Sequence, residues 1–63
     1  MRHTEFWARM EAVLGAQHRL WADATVMGGL GGRTTSEALA SGVPPKQVWA
    51  AVAEALDLPA KDR

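Results

Sequence analysis

Apolar residues recur along this chain at the three- and four-residue intervals of an α-helix, and this periodicity is what most constrains its fold. No stretch alternates apolar and polar residues among β-branched types, as a half-buried strand would. The sequence therefore predicts an all-α fold. The stripes expected to face the core are Phe6, Trp7, Met10, Val13 and Leu14 in a first helix, Leu20, Trp21, Ala24 and Met27 in a second, and Val48, Trp49, Val52, Ala55 and Leu56 in a fourth.

The second half of the chain carries clear start and stop signals for two helices. Thr34 and Glu37 have the spacing of a capping box, which predicts a short helix beginning at about residue 35. Gly42 can supply the left-handed residue that ends this helix. Pro45 suits the first position of the next helix, and Pro59 closes it.

The signals in the first half are simpler. Thr4 can cap the first helix, Gly15 is placed to end it, and Gly28 and Gly29 follow the second helical segment. We therefore expect one compact domain over residues 1–63, with four short helices at about residues 5–14, 17–27, 35–41 and 45–57, the last two arranged as a helix-turn-helix-like unit.

The core of this domain has to form without covalent help. A chain of 63 residues lies near the lower size limit for a self-sufficient core, and it contains no cysteine for a disulfide or a thiolate metal site. Its three tryptophans, Trp7, Trp21 and Trp49, can each bury a large apolar area. We expect all three to be largely buried.

Charge and hydropathy narrow the cellular setting. Seven basic and seven acidic residues cancel, so the chain lacks the basic excess typical of nonspecific nucleic-acid binding. Its apolar runs fall far short of the roughly 20 residues needed to span a bilayer. The first six residues include Thr4 and Glu5 where a signal peptide would be apolar. A cytoplasmic protein without membrane contact is the expectation.

The motifs for catalysis, metals and phosphates are incomplete. The segment GGLGGRT (28–34) lacks the first glycine of a phosphate-binding loop, since Met27 stands there, and Arg33 replaces its lysine. His3 and His18 have no second histidine or cysteine at metal-ligand spacing. Ser36 has no evident histidine partner. We therefore expect no enzyme, no metal and no cofactor.

The segment EALASGVPPKQVW (37–49) raises the question of DNA binding. Ala38, Gly42 and Val48 stand four and then six residues apart, as in helix-turn-helix units. The residues that could contact DNA are Arg33, Lys46 and Gln47. These are few donors for a recognition helix, and nothing in the sequence reveals a dimer face. Weak DNA binding is the alternative function.

The expected outer face of the fourth helix suggests a protein partner instead. Lys46, Ala50, Ala53 and Asp57 would form a strip of small side chains with a charge at each end. A partner helix could approach such a strip closely. The competing explanation is that alanine stands there only for its helix propensity. The strip favours a non-enzymatic adaptor or regulatory module that binds another protein.

Three segments resemble a known family: TEFWARME (4–11), LGGRTTSEALASGVPPKQVWAAV (30–52) and EALDLPAKDR (54–63). In order, spacing and length they are similar to domain-of-unknown-function family 3046, whose members are very small actinobacterial proteins. The resemblance covers nearly the whole chain, but it implies no activity and defines no catalytic or binding residue. Its members tend to be encoded near the recombinase and its regulator, which implies an association with DNA recombination or repair.

Overall fold

Helices make up most of the protein in the computed structural model, which describes residues 1–63, so the prediction of a helix-dominated chain is confirmed. In chain order the elements are α1 (His3–Leu14), a 3₁₀ turn (Gly15–Gln17), α2 (His18–Ala24), β1 (Val26–Met27), a second 3₁₀ turn (Gly28–Leu30), β2 (Arg33–Thr34), α3 (Thr35–Ala40), α4 (Pro45–Ala55) and a third 3₁₀ turn (Ala60–Asp62).

A small antiparallel ribbon shows that the prediction of a strictly all-α fold is wrong. In this ribbon β1 pairs with β2, so that Val26 lies opposite Thr34 and Met27 opposite Arg33. The second helix was expected to continue to residue 27, but it ends at Ala24 and the chain becomes extended. The glycines that follow reverse its direction, and two of them have left-handed backbones, with φ of 68° and 80° at positions 31 and 32.

Helix α3 is closed at both ends by local hydrogen bonds, as the sequence predicts. The Glu37 amide donates to Thr34 Oγ1 at 3.1 Å, and the Thr34 amide donates to Glu37 Oε1 at 2.9 Å. At the other end Gly42 has φ of 96°, and the amides of Gly42 and Val43 donate to the carbonyls of Leu39 and Ala38. This is a Schellman motif. A helix of six residues is thus satisfied at both termini.

Helix α4 ends in the same way, but earlier than predicted. Pro45 occupies its first turn as expected, whereas the helix stops at Ala55 and not at residue 57. The amides of Asp57 and Leu58 donate to the carbonyls of Glu54 and Ala53, which repeats the Schellman pattern. Asp57 takes the left-handed position usually held by glycine, with φ of 52°. It is therefore a helix-ending residue and not part of a helical face.

The first helix begins two residues before its expected start. Arg2 is the N-cap residue, so Thr4 lies within the first turn and makes no capping bond. Gly15 ends α1 as predicted, with φ of 74°, and a 3₁₀ turn connects it to α2.

The core lies where α1 and α4 meet. Phe6 is fully buried, and its ring meets the Trp49 ring edge-to-face, with centroids 6.0 Å apart and planes at 87°. Trp7 packs on Phe6 in the same manner at 5.2 Å. The buried residues that form one apolar cluster are Phe6, Met10, Ala22, Met27, Leu30, Ala38, Val48, Trp49 and Val52.

The expected core is confirmed in its tryptophans and wrong in α2. Trp49 is buried, and Trp7 and Trp21 are for the most part covered and pack against the core cluster. In α2 the inward position belongs to Ala22, and Leu20 points away from the core with 67% of its surface exposed. The helix is seven residues long and is tied at both ends to other elements, so tertiary packing sets its rotation. Hydrophobicity alone therefore gave the wrong face.

We expect replacement of Trp49 by alanine to lower the free energy of unfolding by about 3–5 kcal/mol, because it removes a buried indole from the middle of the core. The matched change Trp21→Ala should cost about 1–2 kcal/mol, since that ring keeps part of its surface in water. Thermal or urea unfolding followed by circular dichroism measures both. Equal losses for the two variants would contradict the central place of Trp49.

Candidate functional site

A groove of about 680 Å³ separates the start of α1 from α4 and is the largest depression on the protein. We call it the α1–α4 groove. Its floor is apolar around Trp49 and Ala50, and charged side chains stand at its rim. The residues that line it are Met1, Glu5, Arg9, Lys46, Trp49, Ala50, Ala53, Glu54 and Arg63.

The charges around this groove differ in how they are engaged. Arg9 forms an ion pair with Glu5 at 3.0 Å, and its guanidinium carbon lies 5.9 Å from the centroid of the Trp49 ring. Lys46 and Glu54 are exposed and have no salt-bridge partner. The two unengaged charges have opposite signs and stand eight residues apart along α4, with Ala50 midway between them.

A second groove of about 500 Å³ lies on the other side of α4, against β1 and the glycine turn. We call it the β1–α4 groove. Glu54 lines both grooves, and Ala51 and Ala55 line only the second. A Cβ atom placed on Gly29 would lie 3.4 Å from Ala51 Cβ, so the turn packs closely on α4. The residues that line this groove are Trp21, Thr25, Val26, Met27, Gly28, Gly29, Ala51, Glu54, Ala55 and Leu56.

Between the two grooves runs the outward surface of α4. We call Ala50, Ala51, Glu54 and Ala55 the α4 ridge. Three of its four residues are alanines, and three of the four are exposed, Ala51 being partly covered. Small side chains on a helix let another backbone approach closely. This arrangement offers a ligand small apolar contacts at the centre and single charges beside them, so its chemistry is that of binding.

Two of the four residues in the strip predicted for a protein partner lie on the outer surface of α4. Lys46 and Ala50 are exposed and border the α1–α4 groove. Ala53 is only 1% exposed and belongs to the inward face with Val52, so its placement on the outer face is wrong. Asp57 lies beyond the helix end and lines neither groove.

The alanines of α4 explain why the sequence assigned some of its residues to the wrong face. The predicted stripe placed Ala55 inward, whereas Ala55 is exposed and Ala53 is buried. One methyl group contributes little to a hydrophobic pattern, so the sequence hardly distinguishes an inward alanine from an outward one. The pattern of Val48, Trp49 and Val52 marks the buried face and would have placed Ala53 beside it.

The three residues proposed for DNA contact lie on two different elements. Lys46 and Gln47 are exposed neighbours in the first turn of α4. Arg33 is exposed on β2, opposite Met27, and lines neither groove. None of the three side chains has an ion pair within the protein.

Two of the polar residues considered for catalysis or metal binding make hydrogen-bond contacts within the protein. His18 Nδ1 lies 2.9 Å from the Gly15 carbonyl oxygen, and Ser36 Oγ donates to the Asp23 carboxylate. No group of three or more histidine, cysteine, aspartate or glutamate side chains is placed to hold a metal ion. The hydroxyl of Thr35 is buried without a hydrogen-bond partner at the start of α3. The expectation of no enzyme, metal or cofactor stays a prediction.

The segment GGLGGRT has a structural part in the fold. Its first three residues form a 3₁₀ turn, and Leu30 is 6% exposed and belongs to the core cluster. The Gly32 amide donates to the Met27 carbonyl at 3.1 Å, which closes the reversal between the strands. The segment is therefore a hairpin turn with one anchored side chain.

We expect Ala50→Arg to change the free energy of unfolding by less than about 0.5 kcal/mol, because the side chain at this position faces water. Ala53→Arg should cost about 2–4 kcal/mol, since Ala53 is only 1% exposed and a long charged side chain would have to displace its neighbours to reach the α1–α4 groove. The two variants carry the same added charge, three residues apart. Urea unfolding compares them, and similar stabilities would show that the assignment of the faces of α4 is wrong.

None of the helices is both long and apolar enough to cross a membrane.

Comparison with known proteins adds a family but no activity. The family model described as "Protein of unknown function (DUF3046)" matches residues 1–61 of the chain. No curated protein and no solved structure matches the chain.

Proposed function

Because the chain belongs to the DUF3046 family of proteins of unknown function, whose description assigns no activity, we propose from the geometry of α4 that it is a small non-enzymatic adaptor or regulatory module. In this proposal it acts by binding another protein through the α4 ridge. A cytoplasmic location is part of the same proposal.

The observation that carries the proposal is the position of the α4 ridge between two grooves. A partner helix laid along Ala50, Ala51 and Ala55 would approach the backbone of α4 closely, and its larger side chains would enter the grooves on either side. Lys46 and Glu54 offer one positive and one negative charge to such a partner. Single charges at the border of an interface act mainly on partner choice and orientation.

Helix propensity offers a competing account of the same alanines. Alanine is the best helix former, and an exposed face of an 11-residue helix gains from it without any partner. This account explains the alanines but not the grooves, which arise from the neighbouring elements α1 and β1. Variation at the ridge therefore separates the two accounts, because only partner binding depends on the shape of the surface.

The proposal also includes an association with DNA recombination or repair. Its support is the family resemblance alone, through the genes near which members tend to be encoded. No contact or charge in the protein adds to it.

We expect the double variant Ala50→Arg, Ala55→Arg to remain folded and to lose the capture of a partner protein from a lysate of the source organism. The matched control is Ala8→Arg, Ala16→Arg, which adds the same charge at two exposed alanines that line no groove. The control should capture the same proteins as the wild type. If the ridge variant also captures them in the same amounts, the ridge is not the interface.

DNA binding is the second candidate function, and the connection between α3 and α4 favours it. Ala38 and Val48, at the spacing of helix-turn-helix units, are both fully buried, and Gly42 makes the left-handed turn between them. Lys46 and Gln47 then stand exposed at the start of the would-be recognition helix. The neutral net charge and the single lysine of α4 weigh against it.

We expect no specific complex with duplex DNA at physiological salt, and only weak binding that disappears as salt rises, because few phosphates can be neutralised by so few cations. The measurement is a titration of labelled duplex at two salt concentrations. Sub-micromolar binding that persists at the higher salt would instead favour DNA as the ligand. In that case the double variant Arg33→Ala, Lys46→Ala should abolish it.

A further inference from the structure

The last residues of the chain lie across Trp49 and are held there by few contacts. We call residues 59–63 the strap. All five side chains are exposed, so the strap buries little apolar surface of its own. Its central part is the 3₁₀ turn Ala60–Asp62.

One hydrogen bond joins the strap to a helix of the protein. Trp49 Nε1 donates to the main-chain carbonyl of Asp62 at 3.1 Å. The other polar contacts are internal to this end of the chain: Arg63 Nε donates to the Leu58 carbonyl at 2.7 Å, and Arg63 Nη2 lies 3.6 Å from Asp57 Oδ1. The Arg63 contacts therefore keep the strap curled over Trp49 without attaching it to α1 or α4.

The strap also separates two depressions that share a floor. The α1–α4 groove lies on one side of it, and a depression of about 270 Å³ lies on the other. Both are lined by Arg9, Trp49 and Arg63. With the strap removed they would form one surface centred on the indole of Trp49, whose N–H would then be free to donate to another acceptor.

We infer that the strap is a conformational device that opens independently of the core and controls access to Trp49. The hinge lies after Leu58, which is partly buried and packs against the core cluster. Opening breaks the Trp49–Asp62 hydrogen bond and uncovers Trp49, and it displaces no other residue of that cluster. Local openings of this kind cost much less than global unfolding.

Opening of the strap deepens the proposed function, and its part in partner binding rests on that function. A partner segment in the α1–α4 groove would meet the strap at Trp49 and Arg63, so release of the strap would enlarge the binding surface. A main-chain carbonyl of the partner could take the place of the Asp62 carbonyl on Trp49 Nε1. The opening itself depends only on contacts within the protein and is tested without any partner.

The test is hydrogen exchange of the Trp49 indole N–H, measured by NMR on the full chain. Trp7→Phe and Trp21→Phe variants identify its signal among the three indoles. In the wild type the protection factor of the Trp49 indole N–H should be at least tenfold lower than that of the Val52 amide, which lies in the core of α4 and reports global unfolding. Equal protection of the two groups would overturn the inference, because the strap would then open only with the whole domain.

A pair of variants with equal charge tests how the strap is held. Arg63→Ala removes the contacts to Leu58 and Asp57, and should speed exchange of the Trp49 indole about threefold to tenfold, the effect of losing one hydrogen bond. Lys61→Ala removes a cation of the same strap that has no hydrogen bond or ion pair, and should leave exchange unchanged. The Val52 amide should be unaffected in both. A parallel acceleration of Val52 in Arg63→Ala, or no effect on the indole, would contradict the device whether or not a partner is ever found.

Discussion

The edge-to-face contact between Phe6 and Trp49 is the interaction on which the rest of the protein depends. It joins α1 to α4, which are far apart in the sequence, and both rings are buried. In a chain without cysteine, few contacts are available to close so small a core. The same indole also lies beneath Arg9 and donates to the Asp62 carbonyl. One side chain thus fixes the positions of α1, α4 and the strap relative to each other.

The sequence was most informative where structure depends on neighbouring residues. The capping box of Thr34 and Glu37, the left-handed turn at Gly42 and the proline at the start of α4 all form as predicted. These features need only three to six consecutive residues, and each follows from the hydrogen-bonding chemistry of particular side chains. The same chemistry appears at Asp57, but there an aspartate holds the left-handed position, so no glycine marked the helix end.

The sequence was least informative where contacts between distant segments determine the local structure. A ribbon of two-residue strands cannot show an alternating pattern, and it forms because the glycine turn brings its flanks together. In α2, packing turned Ala22 inward and left Leu20 exposed. For the candidate site, Lys46 and Ala50 were identified, while Ala51, Glu54 and Ala55 were missed. They became recognisable only once β1 and the glycine turn were seen to pack beside α4.

The close approach of Gly29 to Ala51 has a consequence for how this protein can vary. A single methyl group at position 29 would already lie in van der Waals contact with Ala51, so the two positions share a fixed small volume. A longer side chain at either one would have to turn towards solvent or move the glycine turn away from α4, and the second outcome would widen the β1–α4 groove. Substitutions at the turn can therefore alter the shape of the proposed binding surface.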